Sequence, residues 1–218
     1  MLFRSTAQRI LSASTGIETT ALGRLDLSKT QLDQIDLAAK NAAVYSKRIL
    51  PVFESMDVDE VLELIDNTQT VGDVPLSEVI IDYAQVLGAS RNLEDDIARL
   101  GEGLHARSRI TPTNPRRLAT VIASQVENQA QKDGREWWYK NRDISRMRPP
   151  LNSTEWCRRL EKLCKAVWSL YRPGRWMREF GEDVEDNTAE LHVVKANFGP
   201  MGFVELTWDG PTCTFGDK

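Results

Sequence analysis

The amino-acid sequence predicts a mainly α protein: a bundle of four or five helices, some long and antiparallel, with a small C-terminal β-hairpin. Three observations predict it. Apolar residues recur in steps of three and four through most of the chain before residue 171, which is the period of one helix face. Capping signals stand in front of several of these runs. Beyond residue 180 two β-branched and aromatic runs, ELHVVKANF and GFVELTW, are joined instead by a GPMG turn.

Residues 1–17 contain Arg4 and Arg9 and no carboxylate, and Phe3, Ala7, Ile10 and Leu11 share one face at helical spacing. This segment reads as an ordinary first helix, as a helix for a membrane surface, or as a mitochondrial import sequence. In the last two readings Arg4 and Arg9 are the membrane or targeting residues. Ser28 with Gln31 makes a capping box before a stripe of Leu32, Ile35, Ala39, Ala42, Ile49 and Phe53, bent or ended near Pro51. A short helix follows Asp57, with Val61, Leu62 and Ile65 apolar.

In GDVPLSEV, Asp73 can cap and Pro75 can occupy the first helical turn. Leu76, Ile80, Tyr83, Leu87, Leu93, Ile97, Leu100 and Leu104 then mark one side of a helix roughly 45 Å long, weakened locally by Gly88, Gly101 and Gly103. The stretch VPLSEVIIDYAQVLGASRNLEDDIARLGEGL resembles a helix of the membrane-curving BAR family, and that resemblance implies a membrane-binding dimer. TPTNP is a turn, with Asn114 capping and Pro115 opening a helix through Leu118, Ile122 and Val126. Asn152 and Glu155 make another capping box ahead of Trp156, Leu160, Leu163, Val167 and Leu170, and RPG at 172–174 stops that helix. The expected domains are 1–180, helical, and 181–218, a hairpin extension too small to be stable alone.

Composition bounds the class. A chain of 218 residues, 41% hydrophobic and 28% charged, can build one sizeable core, and no window approaches the roughly 20 apolar residues of a spanning helix. The odd set Cys157, Cys164 and Cys213 points to a reducing compartment or a virion, with the mitochondrion as the alternative. Charge is partitioned: residues 107–178 carry 17 basic against 6 acidic side chains, while the flanking parts are acidic. Such asymmetry speaks of partners rather than fold.

The sequence contains no GxxxxGK[ST] or GxGxxG loop, no HExxH and no CxxC. His105 and His192 lack ligand-spaced partners, and Cys157 and Cys164 fall on the apolar side of a helix. No catalytic residue, cofactor or metal ligand is therefore expected, nor a small-molecule substrate, and the chain is expected not to be an enzyme. REWWYKNRDISRMRPP, at 135–150, interleaves aromatics with cations, a pattern suited to single-stranded nucleic acid or an anionic membrane surface. The predicted contact residues are Arg116, Arg117, Arg135, Trp137, Trp138, Tyr139, Lys140, Arg142, Arg146, Arg148, Arg158 and Arg159, while Trp156 and Trp168 lie on the core side. The expected function is a non-catalytic, self-associating structural protein whose basic third contacts RNA or a nucleoprotein, like a coat, nucleocapsid or matrix protein. The alternatives are a mitochondrial peripheral subunit imported by residues 1–17 and a BAR-like dimer.

Overall fold

A computed structural model describes residues 2–83, 93–110, 117–125, 128–143, 148–149 and 158–218. Helices and strands alternate along them, so the chain is an α/β protein with several sheets and not a mainly α bundle. It divides into two compact units. One comprises Met1–Phe53, Arg172–Leu191 and Val204–Lys218, the other Glu54–Tyr171 and His192–Phe203.

The first unit begins with α1 (Leu2–Thr15), α2 (Thr19–Arg24) and α3 (Lys29–Ser46). Helix α1 stops at Gly16, whose φ of +72° is the left-handed conformation that a C-terminal glycine adopts without a Cβ penalty. The buried Ser12 hydroxyl donates to the Ile17 carbonyl at 2.5 Å, fixing the turn that leads into α2. Helix α3 starts where the capping box places it: the Gln31 amide donates to Ser28 Oγ at 3.3 Å, and the Ser28 amide donates to Gln31 Oε1 at 2.9 Å. Its apolar stripe is not core, however, since α3 has no buried residue.

Pro173 does not end a helix. It opens α8 (Pro173–Glu179), because an N1 proline lacks only an amide that would be unpaired there anyway. Arg172 and Arg178 both donate to the carboxylate of Asp186, which is 1% exposed, and the Arg172 guanidinium lies 4.0 Å from the Trp208 ring centroid. A carboxylate so deeply buried loses its hydration, and the two guanidinium groups offset that cost. Strand β7 (Gly202–Asp209) pairs antiparallel with β8 (Thr214–Asp217) through Leu206–Asp209, setting Trp208 opposite Phe215 with ring centroids 4.6 Å apart.

The second unit is where the structure departs most from the expected bundle. Helix α4 (Val58–Asn67) is capped reciprocally by Asp57 and Glu60 at 2.8 and 2.9 Å. The expected 45 Å helix is instead a succession of different elements. Thr70–Val71 (β1) and Val74–Pro75 (β2) turn about Gly72, at φ +60°, and Glu78–Ile81 (β3) follows, while among the described residues of this stretch only Leu93–Arg107 (α5) is helical. The resemblance to a BAR helix, which needed one continuous rod, is lost with it. The helix expected through Leu118 and Ile122 is a strand, β4 (Ala119–Ile122), and Val126 lies outside the described residues. Helix α6 (Asn128–Asn141) follows, and then α7 (Arg158–Leu163) and β5 (Ala166–Tyr171) replace a single expected helix. Trp168, expected in the core, is 62% exposed on β5; Trp156 lies outside the described residues.

β3 and β4 pair in parallel, Glu78 opposite Ala119 through Ile81 opposite Ile122. The β-branched runs Val79-Ile80-Ile81 and Thr120-Val121-Ile122 suit that pleated pair better than a helix, where their χ1 freedom is lost. One face buries Ile81 in a cluster with Val58, Ile65, Leu100, Leu104 and Leu118 from α4, α5 and the approach to β4. Each such buried aliphatic side chain contributes about 1.5–3 kcal/mol. The C-terminal runs do form neighbouring strands, β6 (Thr188–Ala196) and β7, but within a sheet of order β5-β6-β7-β8 and not as an isolated hairpin.

Helices α5 and α7 meet at Gly101, where an added Cβ would stand 2.7 Å from Leu160 Cδ1 and 3.2 Å from Leu163 Cδ1. Gly101→Leu gains about 1 kcal/mol in helix propensity and meets an overpacking penalty of about 1–3 kcal/mol. The expected outcome is net destabilisation, read as a lower urea midpoint with an unchanged m-value.

Candidate functional site

The parallel pair brings its carboxyl ends together. Beyond the register, the Ala123 amide donates to the Ile81 carbonyl at 2.9 Å, so the chain leaves both strands side by side. Asp82 and Tyr83 follow β3, and Ser124 and Gln125 follow Ala123. Asp82 is exposed and makes no ion pair among the described residues. Open parallel α/β sheets bind ligands in the crevice at the carboxyl ends of their strands. Here that end offers a carboxylate, a hydroxyl and an amide, oxygen donors that suit a hard cation such as Mg²⁺. No group of three His, Cys, Asp or Glu that could hold a metal occurs among the described residues. Mg²⁺ takes one or two carboxylates and shares the rest of its shell with water and ligand phosphates.

The residues singled out from the charge pattern are scattered over several elements. Arg116 and Arg146 lie outside the described residues; Arg4 falls in α1 and Arg158 opens α7. Arg9 is exposed on α1, and Arg117 is exposed ahead of β4. Arg159 is held at 3.7 Å from Asp95 and 3.0 Å from Glu102, both on α5. Arg148 lies over the Phe203 ring at 5.6 Å, and that ring stacks on His192.

Arg135, Trp137, Trp138, Tyr139 and Lys140 share α6, and Arg142 follows it. Trp138 is buried, Trp137 half-buried and Tyr139 49% exposed, so the three consecutive aromatics divide between interior and surface as the 100° helical step requires. Arg142 ends the helix at φ +52°, its amide donating to the Trp138 carbonyl at 2.8 Å, and its guanidinium lies 5.5 Å from the Trp138 ring. Asp133, Glu136 and Asp143 interrupt the positive charge.

Asp82, Ser124 and Gln125 escaped the sequence reading because VIIDYAQ was assigned to a helix face. The signal was there: a β-branched run closed by a carboxylate, and a second such run before Ser124.

No protein-family model matches the chain, and no curated protein does. Solved structures do match. A DnaB-like replicative helicase, determined with its interactions with primase, superposes with a TM-score of 0.71 over 97% of this chain and 47% of its own, at 18% identity. A second solved structure, an ATPase domain, gives 0.73 over 96% of this chain and 69% of its own, also at 18% identity. The chain shares the fold of these two structures. The chain spans about half the length of the first of these structures.

This likeness overturns the expected helical bundle, and with it the non-catalytic structural role and the expectation that the chain is not an enzyme. Nothing in this likeness supports the virion, coiled-coil or mitochondrial readings. An ATPase fold also removes the ground for expecting no small-molecule substrate. No helix among the described residues is long and apolar enough to cross a membrane.

Elsewhere in the second unit, Lys195 on β6 donates to the Glu161 and Lys162 carbonyls at 2.7 and 3.0 Å, satisfying the end of α7. Burial pushes the neighbouring Cys164 thiol up, with Lys195 opposing and Glu161 reinforcing the shift. Because the folded protein holds this proton more tightly than the unfolded chain, the contribution is complete below the unfolded thiol's pKa and is lost as pH rises through the folded one. Native Cys164 should therefore alkylate with iodoacetamide more slowly than in urea at the same alkaline pH. Cys164→Ala should flatten the alkaline fall in stability followed by urea titration.

Proposed function

We propose that this chain is the core of a nucleotide-hydrolysing motor that acts on nucleic acid, with its nucleotide at the carboxyl ends of β3 and β4. The observation that carries the reading is Asp82, an exposed carboxylate closing an apolar parallel strand in a helicase ATPase fold. An aspartate in that place holds Mg²⁺ against the nucleotide phosphates in P-loop NTPases. Bound there, the metal would neutralise charge on the nucleotide phosphates. Asp82 would hold it through its carboxylate, and Ser124 and Gln125 would offer a hydroxyl and an amide to a water or phosphate oxygen. The strand pair supplies rigidity: the ladder that continues to Ala123 fixes the backbone on both sides of these groups. With no GxxxxGK[ST] stretch in the sequence, the assignment covers the metal side of the site alone.

Nucleic acid and further copies of the chain are the partners that belong to this reading. The cations of the central third support the first. The outward face of β3–β4 supports the second, since Ile80 and Val121 are exposed there and parallel strands are normally covered on both faces.

The test is a titration with a fluorescent ATP analogue, with and without Mg²⁺. Wild-type protein should bind more tightly with the metal, and Asp82→Asn should lose that dependence, weakening binding by about tenfold or more. Equal affinity and equal Mg²⁺ dependence in the variant would remove Asp82 from the site.

A further inference from the structure

We infer that the outer side of α3 is a two-fold contact between copies of this chain, in which two α3 helices lie antiparallel with Leu37 against the partner's Val44 and Asp33 against the partner's Arg48. The contact uses α3 and the turn that follows it alone, so it stands or falls apart from the nucleotide assignment.

Helix α3 has an inner and an outer side. Gln31, Ile35 and Ala38 are half-buried, and at about 100° per residue they share one arc of about 60°. Asp33, Leu37, Lys40 and Val44 share a second arc of about 60°, centred about 160° from the first, and all four are exposed. Their spacing in steps of four, three and four is that of a seam along which helices pair. Leu37 is 61% and Val44 68% exposed, so the apolar members of the seam face solvent in the single chain.

Charge decides what covers it. Asp33 stands near the start of the seam, and Lys47 and Arg48 follow its end. The Arg48 amide donates to the Tyr45 carbonyl at 2.9 Å and the Ile49 amide to the Ser46 carbonyl at 3.2 Å, so the turn continues past the last helical residue. Neither Asp33 nor Arg48 makes an ion pair among the described residues. Two copies laid parallel set Asp33 on Asp33 and Arg48 on Arg48. Laid antiparallel about an axis between Lys40 and Asn41, they set Leu37 opposite the partner's Val44 and Asp33 opposite the partner's Arg48, each twice, because both pairs are centred on that axis. The same overlap brings the exposed Leu32 level with the partner's Ile49. Lys40 stands beside the axis with its ammonium bound to Asp36 at 2.5 Å, which offsets its repulsion of the partner's Lys40. Unlike charges in one orientation and like charges in the other select how two helices pair. A contact that uses the same patch on both copies closes at two.

Analytical ultracentrifugation of the full chain from roughly 5 to 200 μM should show a monomer–dimer equilibrium set by mass action. Leu37→Glu should weaken the dimer by about 30-fold or more. Asp33→Arg and Arg48→Glu should each weaken it by about fivefold or more, and an equimolar mixture of the two variants should restore it, since the mixed dimer has unlike charges at both ends. All three positions are exposed, so each variant should keep the wild-type circular dichroism spectrum. Asp82→Asn should leave the equilibrium unchanged whatever it does to nucleotide binding. A wild type that stays monomeric over this range, a dimer indifferent to Leu37→Glu, or a mixture that associates no better than either charge variant alone overturns the contact.

Discussion

Two parallel strands joined by a ladder of hydrogen bonds cannot stand in water without cover, and in this chain α5 supplies it. Leu100 and Leu104 close over Ile81 and Leu118, and α4 adds Val58 and Ile65 to the same cluster. Remove that contact and β3 and β4 have no reason to lie side by side. The carboxyl ends that hold Asp82 and Ser124 would then separate. The polar site is thus a consequence of an apolar one on the reverse side of the same four-residue strands.

Around this contact the charges act as orienting ties. Arg107 reaches from the end of α5 to Asp66 near the end of α4, its Nε donating at 2.7 Å to Oδ1, and this bond pushes the guanidinium above its ordinary pKa. Arg99 meets Asp59 across the same pair of helices at 3.3 Å. Arg159 binds α7 to α5 from the other flank. Exposed pairs of this kind contribute little energy each, but they select among ways of packing the same apolar faces. The strong charge asymmetry of the sequence is therefore spent in part inside one unit, acidic α4 and α5 against basic residues downstream.

Local signals were the most legible part of the sequence. The capping box at Ser28 is made, the short helix expected after Asp57 begins there, and the β-branched runs near the C-terminus are strands. What could not be read was the identity of short apolar runs. Leu76, Ile80 and Tyr83 fit a helical step as well as Val79 and Ile81 fit a pleat, and only the partner strand forty residues later decides between them. That pairing is non-local and leaves no trace in a window. The site shared this fate, because Asp82 gains meaning from being at a strand end and Ser124 from being beside it. The aromatic triplet was legible only as a division: one ring had to face out, and the structure selects Tyr139.

Helix α5 carries two notches, one on each flank. Gly101 admits Leu160 of α7, and Gly103 admits Leu62 of α4, whose Cδ1 would be 2.6 Å from any added Cβ. Each glycine lowers the helix's intrinsic tendency to form by about 1 kcal/mol relative to alanine. Such a segment is a poor helix by itself and a good one only between its two neighbours. Its order is borrowed from them, and the packing of α5 over β3 and β4 depends on both flanks.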